Sequence, residues 1–130
     1  MPEVPGDLKY SKEHEWVRVE DEAIAVIGIT DFAQDQLGDV VYIDVPTPGA
    51  AVRQYQKMGE IESVKSVSDL YSPVSGEVVE RNDAALDAPE VVNTAPYGDG
   101  WLLRVRLTDT AELNTLLSGD EYAALTAHGD

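Results

Sequence analysis

The chain has 130 residues, 43% of them apolar, and its 25 acidic against nine basic side chains give a formal charge of −16. That length suits one domain with a modest core, and the charge argues against nucleic acid and anionic lipid as partners, since phosphate contacts need a basic face. There is no cysteine, so the polypeptide supplies no disulfide, zinc–thiolate cluster or thiol nucleophile, and any sulfur chemistry needs an attached group. No apolar run reaches the length of a membrane span. Met1–Asp7 holds two prolines, two acids and no arginine, unlike a signal or transit peptide. The expected setting is a bacterial-type cytoplasm, although a processed mitochondrial chain reads the same way.

In chain order, Trp16–Val19 and Ala23–Ile29 are rich in aromatic and β-branched residues and flank the polar Glu20-Asp21-Glu22, which predicts a hairpin. Thr30 or Asp31 caps a short helix through about Leu37, closed by Gly38 in a left-handed conformation. Val40–Val45 is the next strand, broken by Pro46-Thr47-Pro48-Gly49. Ile61–Val64 and Leu70–Val79 then form two β-prone runs, with Lys65 at or beside the tip between them. Pro73–Gly76 reads as a turn within the second run and echoes Pro46–Gly49, a weak sign of two-fold pseudo-symmetry. Residues 81–100 read as irregular. Trp101–Leu107 predicts a strand, Asp109-Thr110-Ala111-Glu112 a capping box opening a helix to about Leu117, and Ser118 or Asp120 a cap for a last helix to about Ala127. Many short strands followed by small helices point to an antiparallel sandwich or flattened barrel.

Chemistry concentrates on Lys65. A lysine at a turn is ordinarily a solvated charge, but a loop tip is also where another protein can reach a side chain. His14 and His128 lack a nucleophile or acid–base partner in any recognisable pattern, and the glycines form no phosphate loop. The sequence therefore does not read as an enzyme with its own active site, and it holds no metal-ligand cluster.

The surroundings of Lys65 give it meaning. Glu62-Ser63-Val64-Lys65, then Ser68-Asp69 and Ser72 through Val78, closely resemble the lipoyl-attachment segment of the glycine cleavage H-protein family. Further pieces occur in order: Leu8-Lys9-Tyr10, His14-Glu15-Trp16, Gly28 through Gln34, Leu37-Gly38-Asp39-Val40, Asn93, Pro96-Tyr97-Gly98 and Gly100-Trp101-Leu102. They cover about residues 8–107.

The resemblance implies a mainly β, barrel-sandwich hybrid of two antiparallel sheets with short helices. It makes residues 1–130 one lipoyl-carrier domain, with a core of about 8–107 and a C-terminal helical segment of about 109–127. It implies lipoate on Lys65 as N6-lipoyllysine, installed by a lipoate ligase or a lipoyl/octanoyl transferase. The chain would carry the aminomethyl group of glycine from a pyridoxal-phosphate glycine decarboxylase (P protein) to a tetrahydrofolate-dependent aminomethyltransferase (T protein). Dihydrolipoamide dehydrogenase (L protein) would then reoxidise the dithiol. Glu15 and Asp69 match acidic positions of the cleft that receives the loaded arm; the alternative for both is a solvated turn carboxylate. The family often has serine two residues before the matched glutamate. Here Glu13 stands there, which leaves that serine's hydrogen bond without a donor at this position. Two rival readings remain: an H-like protein that relays lipoate to other lipoyl proteins, and a lipoyl or biotinyl domain of another complex.

Overall fold

Alternating apolar residues give two antiparallel sheets in the computed structural model, which describes residues 3–21 and 23–127. The strands are β1 (Lys9–Tyr10), β2 (Glu15–Glu20), β3 (Ile24–Ile29), β4 (Val40–Asp44), β5 (Ala51–Val52), β6 (Lys57–Ser63), β7 (Val67–Tyr71), β8 (Gly76–Arg81) and β9 (Leu103–Leu107). One sheet has the order β1-β2-β3-β9-β8-β5, the other β4-β6-β7. Between them lies the main core, with Val17, Ile27 and Val105 from the larger sheet facing Ile43, Ile61 and Leu70 from the smaller. This is the expected flattened barrel-sandwich.

β3 is apolar on both faces because both are covered. Ala25, Ile27 and Ile29 enter the main core, whereas Val26 points outward into a second cluster with Leu8, Tyr10, Trp16 and Tyr122. A strand buried on both sides loses the polar alternation of a half-exposed one. β9 keeps it: Leu103, Val105 and Leu107 are buried, while Arg104 and Arg106 face outward.

The helix after β3 forms as expected. Thr30 Oγ1 accepts the Ala33 N–H at 3.1 Å and starts α1 (Asp31–Leu37). Gly38 ends it at φ 79°, ψ −158°. The φ is positive as predicted, but the ψ belongs to an extended, essentially glycine-only region rather than the left-handed helical one.

Three expectations need correction. The run Leu70–Val79 turns at Pro73 as expected, but its first strand is longer and earlier: β7 begins at Val67 and stops at Tyr71, and the turn carries the chain into β8 of the other sheet. Residues 81–100 contain α2 (Asp83–Asp87) and α3 (Val91–Thr94). The amide of buried Asn82 donates to the carbonyls of Asp99 (2.8 Å) and Trp101 (2.6 Å), closing this segment on itself. Finally, the capping box at Asp109–Glu112 does not form. Asp109 accepts from Ala111 N–H at 3.0 Å, but the Glu112 carboxylate is taken by Ser75, whose N–H and hydroxyl donate to it at 2.7 and 2.8 Å. A 3-10 turn, Thr110–Thr115, results. The capping box sits instead at Ser118 and Glu121, opening α4 (Gly119–Thr126). The two Pro-x-x-Gly turns also differ: Gly49 has φ 96°, while Gly76 lies in β8 against the Arg106 carbonyl. His128 lies outside the described residues.

Glu112 thus fastens the C-terminal segment to the turn between the sheets. Glu112→Ala leaves the partly buried Ser75 N–H unpaired and is expected to lower stability by about 1–3 kcal/mol. In urea unfolding the midpoint should fall with an unchanged m-value.

Candidate functional site

The tip of the β6–β7 hairpin is short and tied down. Glu62 pairs with Val67 across the ladder, leaving residues 64–66 at the turn. Ser63 N–H donates to the Ser66 carbonyl at 2.8 Å, and the Ser63 hydroxyl oxygen accepts from the Lys65 and Ser66 N–H groups at 3.3 and 3.1 Å. A serine that binds the backbone two and three residues ahead holds a turn without a glycine. Val64 N–H donates to the Asp39 carbonyl at 3.0 Å, which ties the tip to the segment after α1. Asn93 holds that segment in turn: it accepts from Val40 N–H (2.9 Å) and donates to the Gly38 carbonyl (2.9 Å).

Lys65 itself is exposed, and its stem lies over Gly38. A Cβ at Gly38 would stand 3.2 Å from Lys65 Cε, so glycine there serves both the backbone angle and the approach of the lysine. Among the described residues Lys65 forms no ion pair, whereas Lys57 is held by Glu60 (2.9 Å) and Asp69 (3.2 Å). Val64 and Val67, on either side of the tip, are 68% and 60% exposed.

Beside the tip runs a cleft of about 400 Å³. Its walls are the start of β7 from Ser66 to Leu70, one side of α1 including Phe32 and Gln36, and Glu13 to Glu15 at the entry to β2. Glu15 and Asp69 both line it, in contrasting surroundings. Glu15 is only 1% exposed. The Ser11 hydroxyl donates to its Oε1 at 2.5 Å and Tyr71 N–H to its Oε2 at 3.3 Å. Burial pushes its pKa up to about 8, the two hydrogen bonds opposing this more weakly and the nearby Glu13 charge adding to it. Glu15 is therefore a largely neutral acid at pH 7, not a solvated turn carboxylate. Asp69 is exposed and shares Lys57, with Tyr71 O–H donating to it at 3.4 Å.

Sequence reading missed Ser11, which supplies the hydroxyl that Glu13 cannot, from four residues before Glu15 rather than two. It also missed the aromatic wall from α1. A serine near a glutamate carries no signal by itself; only the φ 74° backbone of His14, which bends the chain so that Ser11 faces Glu15, makes the pair. Among the described residues no group of His, Cys, Asp or Glu is placed to hold a metal, and no helix is long and apolar enough to cross a membrane.

A small two-sheet β domain that presents an exposed lysine on a pinned hairpin tip, beside a cleft with a buried acid, has the architecture of a covalent-cofactor carrier. The glycine cleavage H-protein family model matches residues 8–129. A glycine cleavage system H protein of Symbiobacterium thermophilum is 54% identical over 129 residues, 99% of this chain and 100% of that one. One from a Cyanothece species is 56% identical over 122 residues, 94% of each chain. The crystal structure of a glycine cleavage system H protein from Mycobacterium marinum superposes with a TM-score of 0.87 at 40% identity, covering 95% of this chain and 99% of that one. The chain belongs to the glycine cleavage H-protein family, the lipoyl carriers of glycine cleavage, which hold lipoate on a lysine.

The buried acid sets a pH dependence. Its folded pKa lies above the ordinary value of 4.5, so across about pH 4.5 to 8 the folded state holds a proton that the unfolded state has lost. Stability should fall as pH rises through that window, by up to about 1.4 kcal/mol per pH unit from this group. Glu15→Gln should flatten that part of a stability–pH curve measured by chemical unfolding.

Proposed function

We propose that Lys65 is the lipoylated residue and that the cleft beside it receives the loaded arm. The observation that carries this is the juxtaposition: Lys65, exposed and like Lys9 and Lys12 without an ion pair among the described residues, stands on a tip whose next residues, Ser66 and Val67, form the cleft wall. Acylation of this amine breaks no salt bridge and orphans no carboxylate. The residues fit the group, with Phe32, Leu37 and Ile61 offering apolar wall to a hydrocarbon chain and sulfur ring, and Glu15 and Asp69 offering acceptors to a cationic cargo.

Lipoate held on Lys65 would supply a disulfide able to take up the aminomethyl group, the disulfide itself being reduced. The chain's own residues bind, orient and shield. The long tethered arm replaces diffusion with a local search at each docked partner. The cleft walls exclude water, and the carboxyls hold the ammonium. The partners are the decarboxylase, the aminomethyltransferase and the dihydrolipoamide dehydrogenase, with the polypeptide a non-catalytic carrier in a bacterial-type cytoplasm. All 130 residues act as one carrier domain.

A lipoate ligase or lipoyl/octanoyl transferase completes the set. Its active site must close over Lys65 and so must meet Val64 and Val67. Tyr42 lies in the same cross-strand row as Glu62 and Val67 and is 58% exposed. This apolar collar, with acidic Glu62 between, fits a partner with an apolar centre and a basic rim.

Lys65→Arg keeps the charge but cannot form this amide. Intact and peptide mass spectrometry after treatment with a lipoylating enzyme should show no adduct and an unchanged fold. Lipoate on Lys9, Lys12 or Lys57 of the natural chain would overturn the assignment, and glycine turnover by purified unlipoylated protein would overturn the carrier reading.

For the cargo, Glu15→Gln and Asp69→Asn keep shape and remove the carboxyl, and with it any carboxylate that could meet a cation. Each should leave lipoylation nearly unchanged and speed spontaneous loss of ammonia and formaldehyde from the loaded carrier. Glu15 should give the larger effect, since a hydrogen bond to charge is worth roughly 1.5–3 kcal/mol when desolvated and less when wet. Equal decay rates for the natural protein and both variants would leave the carboxyls without this role.

A further inference from the structure

His14 sits on the cleft wall in a left-handed backbone conformation and is held by the C-terminal helix. Tyr122 of α4 is fully buried, its ring stacked on Tyr10 at 4.7 Å and 9°. Its hydroxyl lies 2.7 Å from His14 Nδ1 and 2.7 Å from Thr30 Oγ1.

Proton accounting gives these contacts a direction. A threonine hydroxyl has one proton to donate and lone pairs to accept with, and so does a tyrosine hydroxyl. Thr30 is wholly buried, and its oxygen already accepts from Ala33 N–H as the cap of α1. Among the described residues, the acceptor within reach of its proton is the Tyr122 oxygen. A buried donor left unpaired is costly, so Thr30 donates to Tyr122. Tyr122 then donates its single proton to His14 Nδ1. A neutral imidazole that accepts at Nδ1 carries its proton at Nε2. Burial holds the Tyr122 hydroxyl well above its ordinary pKa, so it stays a donor throughout the neutral range.

The same trio joins the cleft walls. Thr30 N–H donates to the His14 carbonyl at 3.0 Å, and Phe32, one residue into α1 from Asp31, packs on the His14 ring at 5.0 Å. Glu15 follows His14 directly, so the angle of the left-handed residue sets where the buried carboxyl points.

We propose that Tyr122 is a positioning residue for the cleft: its hydroxyl fixes His14 as the Nε2–H tautomer and clamps α1 to the start of β2, setting the wall against which the loaded arm rests. This rests on the reading that the cleft receives that arm.

Tyr122→Phe keeps the ring and its stack on Tyr10 and removes only the hydroxyl. Thr30→Val removes the upstream donor, and Thr30→Ser restores it. Two measurements are made on each. Imidazole 15N shifts of His14 in the unlipoylated protein report the tautomer without any cargo. The decay rate of the aminomethyl-loaded carrier reports the cleft.

The natural protein and Thr30→Ser should show the Nε2–H form. Tyr122→Phe, which loses the bonds to His14 and Thr30, and Thr30→Val, which loses the bond to Tyr122 and the cap of α1, should show mixed tautomers and a decay at least about three- to tenfold faster, the range for a single lost hydrogen bond. An Nδ1–H tautomer in the natural protein overturns the inference. So does a Tyr122→Phe protein that melts earlier but keeps natural tautomer and decay. A tautomer that responds while decay does not also overturns it. Glu15→Gln, which leaves the trio intact, separates the two failures: if it alone speeds decay, the cleft still guards the cargo and only the role of Tyr122 falls.

Discussion

A single buried carboxyl joins the two sheets at the point where they must cooperate. Glu15 begins β2 of the six-stranded sheet, and its side chain accepts the backbone N–H of Tyr71 at the end of β7 in the three-stranded sheet. The hairpin that carries Lys65 is thereby tied to the larger sheet through the floor of the cleft. Removing such a group from water is expensive for an ion and modest for a hydrogen-bonded neutral acid. The protein takes the second route: Glu15 keeps its proton up to a pKa of about 8. Ser11, Tyr71 and the curled backbone at His14 all follow from the need to satisfy that one side chain.

The legible parts of the fold were those where local chemistry and tertiary need agree. Thr30 caps α1 as its position before Asp31 predicts, and Lys65 lies on a hairpin tip because two β-prone runs flank it. Where local signals failed, a distant partner had outbid the local one. Glu112 has the spacing of a capping-box acid, yet Ser75 presents two donors from the turn between the sheets, and two charge-assisted bonds outweigh one local cap. α2 and α3 are too short to show a periodicity against the prolines around them, and what holds them is Asn82 and Asn93 reaching across to carbonyls. At the site, the motif singled out Lys65, Glu15 and Asp69 as candidates but not the burial of Glu15 or the pairing of Asp69. Those depend on packing and on Lys57, which a linear pattern does not encode.

Charge is distributed to match. The excess of acid is spread over the surface, and several of the few basic side chains are spent balancing it: Arg104 spans Glu20 and Glu80 while its guanidinium lies 4.3 Å from the centre of the Trp101 ring, and Lys57 spans Glu60 and Asp69. Lys65, like Lys9 and Lys12, stands apart from these pairs among the described residues. A lysine that held a carboxylate would leave it uncompensated once acylated; this one can lose its charge without consequence for the fold. Exposed pairs such as these contribute little to stability, so the value of the arrangement lies in what it leaves unengaged.

On the carrier reading, the two acids of the cleft divide a problem that neither solves alone. A permanently ionised carboxylate in a dry cleft would be costly whenever the arm is absent, and one in solvent would hold an ammonium weakly. Asp69 stays wet, in contact with Lys57. Glu15 stays dry and neutral. A cation brought against Glu15 favours its charged form and lowers its pKa, so the proton leaves as the ammonium arrives. On the carrier reading, the strong contact then exists only while there is cargo to hold, and the cost of burying a charge is met only when its partner is present. Release reverses the order: when a partner enzyme draws the arm out, Glu15 recovers a proton from solvent, and the empty cleft returns to its neutral state.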